Sequence, residues 1–355
     1  MKTHPVIIIG AGPAGIGVAA LLSQCAIPAL ILERGQVGES LLRWPKETRF
    51  ISPSFTGNFF GAVDLNAVTP GSSPAFGLQT EHPSGWQYIQ YLNDVADVHD
   101  LAIDEGVEVN DVEVRDDGAI VLTTSEGEVG CRALIWAGGE FQYQRAIPNT
   151  VRVGSSYKAL PVGHHVILGG AESGMETAYH LVRNGSTVTV LDPSAPWSER
   201  VSDSSYGLSP FTFARVRYLE KSGKADFVSA FAKDITETEV RTKDRVFKLE
   251  HPAIDATGFD IQQGLAGKLF DFGKGYPELT DRDESTKHKN VYLVGPNVQH
   301  DRAIFCFIYK YRQRFAVVAS EILNRWGETS PVIAEYAARG FLLDDLSCCD
   351  GECVC

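Results

Sequence analysis

Long hydrophobic runs are missing. Nowhere do about 18 apolar residues follow one another, so no part of the chain is expected to span a membrane. Positive charge is scarce: 32 Lys and Arg stand against 45 Asp and Glu, a net charge of −13, which argues against nucleic acid and against an anionic membrane surface as partners. Met1-Lys2-Thr3-His4-Pro5 runs straight into apolar Val6, without the charged, apolar and cleavage-site segments of a signal peptide, so a cytoplasmic location is the expectation. Cysteine is absent from residues 34–60 and 151–275. Of the seven in the chain, four crowd into the last eight residues, Cys348, Cys349, Cys353 and Cys355. A secreted disulfide scaffold spreads its cysteines, so this clustering asks for another role. With 355 residues, 44% hydrophobic and 22% charged, the chain has enough material for two domains with full cores.

What is present begins at Val6-Ile7-Ile8-Ile9, an apolar run that reads as a buried parallel strand. Gly10, Gly12 and Gly15 follow with the G-x-G-x-x-G spacing, then the small residues Ala14, Gly17, Ala19 and Ala20 of a helix that can lie close to a sheet. A second strand, Ala29-Leu30-Ile31-Leu32, ends on Glu33. Strand, glycine turn, helix, strand and acid make a dinucleotide-binding unit. In it Gly10 serves the tight turn, Gly12 the approach of a pyrophosphate, Gly15 the helix–strand contact and Glu33 a ribose. The pattern recurs. His165-Val166-Ile167-Leu168 precedes Gly169-Gly170-Ala171-Glu172-Ser173-Gly174, a helix from Met175 to Asn184 with Gly185 at its C-cap, and the strand Thr187–Leu191 ending on Asp192. The interval from Gly10 to Glu33 and that from Gly169 to Asp192 are both 23 residues. Chance does not readily produce two glycine turns with one acid spacing.

Between the two units, residues 50–86 lack periodicity, and their aromatics Phe50, Phe55, Phe59, Phe60, Phe76 and Trp86 could wall a flat ring system. Helical spacing predicts a helix over Gly85 to Glu105, then three short strands over Glu108–Arg115, Ala119–Thr124 and Glu128–Arg132. A returning strand, 133–140, carries Ala137-Gly138-Gly139 near its end and closes the first site. Ala256-Thr257-Gly258 closes the second in the same manner. A strand over 291–294, ending at Gly295-Pro296, and a long helix from Arg302 to Arg325 follow, then a helix and linker to the cysteine tail.

These elements resemble the two-dinucleotide-binding flavoproteins: thioredoxin reductases, flavin-containing monooxygenases and the bacillithiol-disulfide reductase group, over about residues 4 to 325. The resemblance implies an α/β fold of two Rossmann-like domains. Residues 1–150 and 276–330 would form an FAD domain, 151–275 an inserted NAD(P)H domain, and 331–355 a linker and cysteine tail. It assigns Gly10, Gly12, Pro13, Ala14, Gly15, Glu33, Arg34, Trp44, Ala137, Gly138 and Gly295 to FAD. Gly169, Ala171, Glu172, Ser173, Gly174, Asp192 and Gly258 fall to the nicotinamide nucleotide. Asp192 suits NADH over NADPH, since an acid repels a 2′-phosphate and Arg200 is the only basic residue in 191–200.

The departures set the subtype. The regions 34–60 and 151–275, where related reductases carry their redox cysteines, hold none. The bacillithiol-linked group has a cysteine where Ala14 stands. Baeyer–Villiger-type monooxygenases need a histidine where Val153-Gly154-Ser155-Ser156-Tyr157 has serine. The family's Gly-Asp is Gly295-Pro296 here, with Asn297 or Asp301 as substitutes. Asp344, Asp345, Asp350 and Glu352 surround the tail thiols and disfavour free thiolates, which suits a disulfide or soft-metal-bound state. Cys306 is a lone cysteine near the last helix. The leading expectation is an FAD enzyme that carries hydride from NAD(P)H to a small-molecule or protein disulfide, or to a soft-metal acceptor, through Cys348, Cys349, Cys353 and Cys355, as a homodimer. An NAD(P)H-dependent flavin monooxygenase, or a metal-binding flavoprotein without NAD(P)H turnover, is the alternative.

Overall fold

Val6–Ile9 form the buried half of β1 (Lys2–Ile9). In the computed structural model, which describes residues 1–57 and 60–347, β1 has a parallel neighbour on each edge, which is why four consecutive apolar residues suit it. On one side lies β2 (Ala29–Glu33), then β3 (Ala102–Glu105); on the other lies β6 (Gly127–Trp136). β4 (Val109–Val114) and β5 (Ile120–Thr124) add an antiparallel meander to β6. β6 is the hub of this sheet. Its first half pairs with β5, and Leu134–Trp136 pair with the strand Val291–Leu293 that returns from far along the chain. The α/β class expected from the sequence is the one observed.

Helix α1 (Pro13–Gln24) packs on the helix Ile308–Trp326. The small residues of α1 make this possible: a Cβ on Gly17 would lie 2.4 Å from the Phe315 ring. Among the described residues, no helix is long and apolar enough to cross a membrane.

The chain folds into two compact units. Of the described residues, the first comprises Met1–Leu42, Pro53–Tyr143 and 260–347. The second comprises Arg43–Ser52 and Gln144–Phe259. It is built on a fully parallel sheet of β7 (His164–Leu168), β8 (Thr187–Leu191), β9 (Ala225–Val228) and β10 (Ala253–Asp255), in the order β9-β8-β7-β10, with Thr150–Val151 beside β10. α3 (Glu172–Arg183) and α4 (Pro210–Ser222) cover it through Met175, Ala178, Leu181, Phe213, Val216 and Leu219. α3 ends in a Schellman turn: Ser186 N–H reaches Leu181 O at 3.0 Å and Gly185 N–H reaches Val182 O at 3.1 Å, with Gly185 at φ +101°. Residues 43–52 are held in this unit by Glu47, which accepts from Ser156 Oγ at 2.7 Å, and by Thr48, which donates to Glu176 at 3.1 Å.

Four sequence expectations need correction. The helix expected over 85–105 stops as α2 (Gly85–Val98); Asp100 takes φ +47°, and Ala102–Glu105 pair with the open edge of β2 instead. The expected strands 128–132 and 133–140 are one, β6. The last long helix begins at Ile308, after a small hairpin of Gln299–His300 and Ala303–Ile304. Among the described residues no aromatic wall forms: Phe55, Phe60, Phe76 and Trp86 are exposed, Phe50 packs on Trp44 in the second unit, and Phe59 lies outside the described residues.

What holds the irregular stretch after Pro53 is polar. The Arg312 guanidinium donates to the carbonyls of Asp64 (2.5 Å) and Ala67 (2.8 Å) while lying 4.4 Å over Phe341. Tyr88 Oη donates to Asn66 O at 2.5 Å, and Tyr91 Oη accepts from Val68 N–H at 2.8 Å. The Asp64 carboxylate takes the N–H groups of Asn66 and Ala75. Burial pulls Arg312 down to about 10, still charged at neutral pH. Replacing this side chain strands buried carbonyls. Arg312→Met is expected to cost on the order of 3 kcal/mol in denaturant unfolding, more than the surface change Arg115→Met by at least about 2 kcal/mol.

Candidate functional site

At the end of β1 the chain turns at Gly10, with φ +105°; a Cβ there would lie 2.7 Å from the carbonyl oxygen of Ala137. α1 then crosses back over the turn so closely that a Cβ on Gly15 would stand 1.9 Å from Gly10 O. No side chain larger than hydrogen fits at either position. Gly12 differs. No atom lies within 4 Å of a Cβ built there, so protein packing does not require glycine. Gly12 is also the N-cap of α1 and gives that helix no side-chain cap, and Pro13 follows at N1. An uncapped helix start facing open space suits an anionic pyrophosphate.

Glu33, at the end of β2, accepts the N–H groups of Ala11 and Gly35, each at 2.8 Å, one per carboxylate oxygen. Each oxygen keeps a lone pair for a ribose hydroxyl. Ala137 continues β6 beneath Gly10, and a Cβ on Gly138 would meet the Trp136 ring at 2.6 Å. Gly295, at φ +110°, follows Val291–Leu293, and a Cβ built there would stand 3.3 Å from Ala14 Cβ. Gly10, Gly12, Pro13, Ala14, Gly15, Glu33, Ala137, Gly138 and Gly295 therefore converge. Arg34 extends from the same edge to Glu108 at 3.5 Å. Trp44 belongs to the second unit, 5.2 Å from Phe50.

The second loop repeats the geometry. Gly169 turns at φ +97°, and a Cβ there would lie 2.5 Å from Ala256 O; one on Gly174 would stand 1.9 Å from Gly169 O. Ala171 is the N-cap of α3 and offers no side-chain cap. Asp192 Oδ2 accepts Gly170 N–H at 2.7 Å, as Glu33 accepts Ala11 N–H, and Oδ1 accepts Ser194 N–H at 2.8 Å and Ser194 Oγ–H at 2.6 Å. Gly258, at φ +89°, accepts from Arg152 at 3.0 Å, and Arg152 pairs with buried Asp255 at 3.0 Å. Ser173 lies in the first turn of α3, its carbonyl taking Thr177 Oγ1–H. Glu172 turns toward α4, where its carboxylate accepts Ser209 N–H at 2.5 Å and the Thr212 hydroxyl.

One titratable group beside the first loop was not singled out by motif. Glu140 follows Gly138-Gly139, and burial raises its carboxyl to about 7. The signal available was an acid directly after paired glycines at a strand end. Cys25 is half-buried and Cys131 buried, its thiol pushed up to about 12 by burial; Cys306 is exposed. The four tail cysteines lie outside the described residues. Among those described, no three His, Cys, Asp or Glu side chains group as metal ligands.

The contrast between the glycines is testable by thermal unfolding without added nucleotide. Gly15→Ala forces a backbone shift and is expected to cost about 1–3 kcal/mol or more, whereas Gly12→Ala is expected to stay within about 1 kcal/mol.

A family model described as pyridine nucleotide-disulphide oxidoreductase matches residues 7–295. Among curated proteins, the bacilliredoxin reductase Bdr of Bacillus subtilis (strain 168) is 25% identical over 345 residues, covering 92% of this chain and 99% of that protein. Among solved structures, a bacillithiol disulfide reductase from Staphylococcus aureus superposes with a TM-score of 0.70 at 22% identity, covering 92% of this chain and 99% of that one. A flavin-containing monooxygenase from Stenotrophomonas maltophilia does so with a TM-score of 0.67 at 13% identity, covering 92% and 100%. The two solved structures speak to the fold. The family model spans both glycine loops, both acids and the returning strand Val291–Leu293, and the chain therefore belongs to the pyridine nucleotide-disulphide oxidoreductase family.

Proposed function

We propose that this oxidoreductase binds FAD in its first unit, takes hydride from NAD(P)H held by its second, and delivers the electrons to a small-molecule or protein disulfide. The observation that carries the reading is the duplication itself: each unit has an uncapped helix start behind a glycine turn, with one acid fixed at 23 residues' remove. Gly10, Gly12, Ala14 and Gly15 cradle the FAD pyrophosphate, Glu33 takes a ribose, and Ala137, Gly138 and Gly295 border the cofactor. Gly169, Ala171 and Gly174 receive the nicotinamide nucleotide's pyrophosphate, and Asp192 its adenosine ribose. FAD, when bound, supplies hydride acceptance and release of electrons to the disulfide. The protein's part is to hold and orient both nucleotides.

Asp192 favours NADH. Both its oxygens are held by backbone and Ser194 donors, so its charge stays at the ribose edge, where a 2′-phosphate would be repelled. Arg200 lies 5.4 Å over the Phe213 ring. The tail cysteines serve as the relay to the acceptor, in a soluble, cytoplasmic homodimer. A soft-metal acceptor is the variant of this reading that the same thiols would serve.

The central test is anaerobic titration of the purified protein with NADH, with free thiols counted before and after. A yellow protein with one FAD per chain, bleached by NADH with a gain of thiols, is expected; a folded protein that cannot be reconstituted with FAD sinks the reading. NADH should exceed NADPH in kcat/KM by about ten-fold or more, the scale of one unfavourable charge contact; equal efficiency refutes the assignment of Asp192. Deleting residues 347–355 should leave FAD content and flavin bleaching intact while turnover of a disulfide acceptor collapses. Full turnover by the truncated chain, or oxygen consumption without disulfide reduction, removes the tail from the path.

A further inference from the structure

The two loops differ in the residue that follows their first glycine. Where the first has Ala11, fully buried, the second has Gly170. A Cβ on Gly170 would lie 2.4 Å from Cζ3 of the Trp197 ring and 3.1 Å from Asp192 Cβ. The indole occupies the volume that the alanine methyl fills in the first unit. We propose that Trp197 is the platform on which the adenine of the nicotinamide nucleotide stacks, making it a specificity-determining residue of the second loop. The inference rests on the reading of that loop as the nicotinamide-nucleotide site.

The chain after Asp192 is built to return this ring. Ala195 takes φ +48° with its N–H on Asp192 O at 3.3 Å, and Ser198 donates to Ala195 O through N–H at 2.9 Å and Oγ at 2.7 Å. Trp197 sits between these turns. Phe227 of β9 backs one face, with ring centroids 5.3 Å apart and planes at 25°. The indole remains half-buried, so part of it stays open to solvent. A backed aromatic plane beside a carboxylate held by three donors matches the two parts of an adenosine, a flat base and a ribose with hydroxyls to donate.

The test uses the FAD-loaded full chain and two probes: ADP-ribose, which carries adenosine and pyrophosphate without nicotinamide, and reduced nicotinamide mononucleotide, which lacks adenosine. Trp197→Ala should weaken calorimetric ADP-ribose binding about ten-fold, the mid-range cost of losing one base–aromatic stack, and lower the ratio of kcat/KM for NADH over the mononucleotide to match. Trp197→Phe, which keeps a plane, should retain most of both. Gly170→Ala, which pushes the indole aside without altering it, should reproduce Trp197→Ala. A folded Trp197→Ala that binds ADP-ribose as the wild type does overturns the proposal; should it fail to fold, unchanged ADP-ribose affinity in Gly170→Ala does so. A wild type that binds neither ADP-ribose nor NADH overturns the reading of the loop itself, and this inference with it.

Discussion

A helix that passes within touching distance of a carbonyl oxygen governs both nucleotide-binding units. Gly15 meets Gly10 O, and Gly174 meets Gly169 O, at a separation that leaves 1.9 Å for any Cβ. Because the helix comes so near, its first turn opens directly above the strand end, and its unpaired N–H groups and positive dipole end converge on one point. The positive φ of Gly10 and Gly169 and the carbonyls of Ala137 and Ala256 beneath them follow from the same crossing. Loosen that contact and the strand end, the helix start and the returning strand no longer meet.

The acids at the ends of β2 and β8 act twice. Each carboxylate ties down the second residue of its loop, Ala11 through Glu33 and Gly170 through Asp192, at 2.8 and 2.7 Å. A loop rich in glycine loses much backbone entropy on ordering, and a charge-assisted hydrogen bond from the neighbouring strand offsets part of it. The carboxylate is thereby held in one orientation by the protein alone, as the proposed ribose contact requires.

Outside the loops, irregular backbone is stabilised by buried cations and phenols. Arg312, Tyr88 and Tyr91 satisfy the carbonyls of Asp64, Asn66 and Ala67 and the N–H of Val68, where no sheet or helix does so. Arg314 forms a fully buried bidentate pair with Asp283, at 2.8 Å on each arm, and donates to the carbonyls of Asp281 and Leu343, tying the C-terminal segment to the core. Removing either partner of such a pair leaves an uncompensated charge, so these side chains specify one arrangement of the loops around them.

The amino-acid sequence by itself determined the two glycine turns, their 23-residue acid spacing, the small-residue face of α1 and the α/β class, because each depends on residues close together in the chain. Tertiary structure decided the rest. Residues 102–105 carry no strong strand signal and became a strand because β2 had an open edge. β6 extends through what read as a boundary because β1, β5 and Val291–Leu293 pair along it. Phe60, Phe76 and Trp86 face water although their composition suggested a wall, and Glu172 turned to α4 because Ser209 and Thr212 were there to donate. Trp197 meets Gly170 only through a pair of turns. Each of these depends on which distant group lies opposite, and hydrophobic period and glycine spacing, being local, carry no record of it.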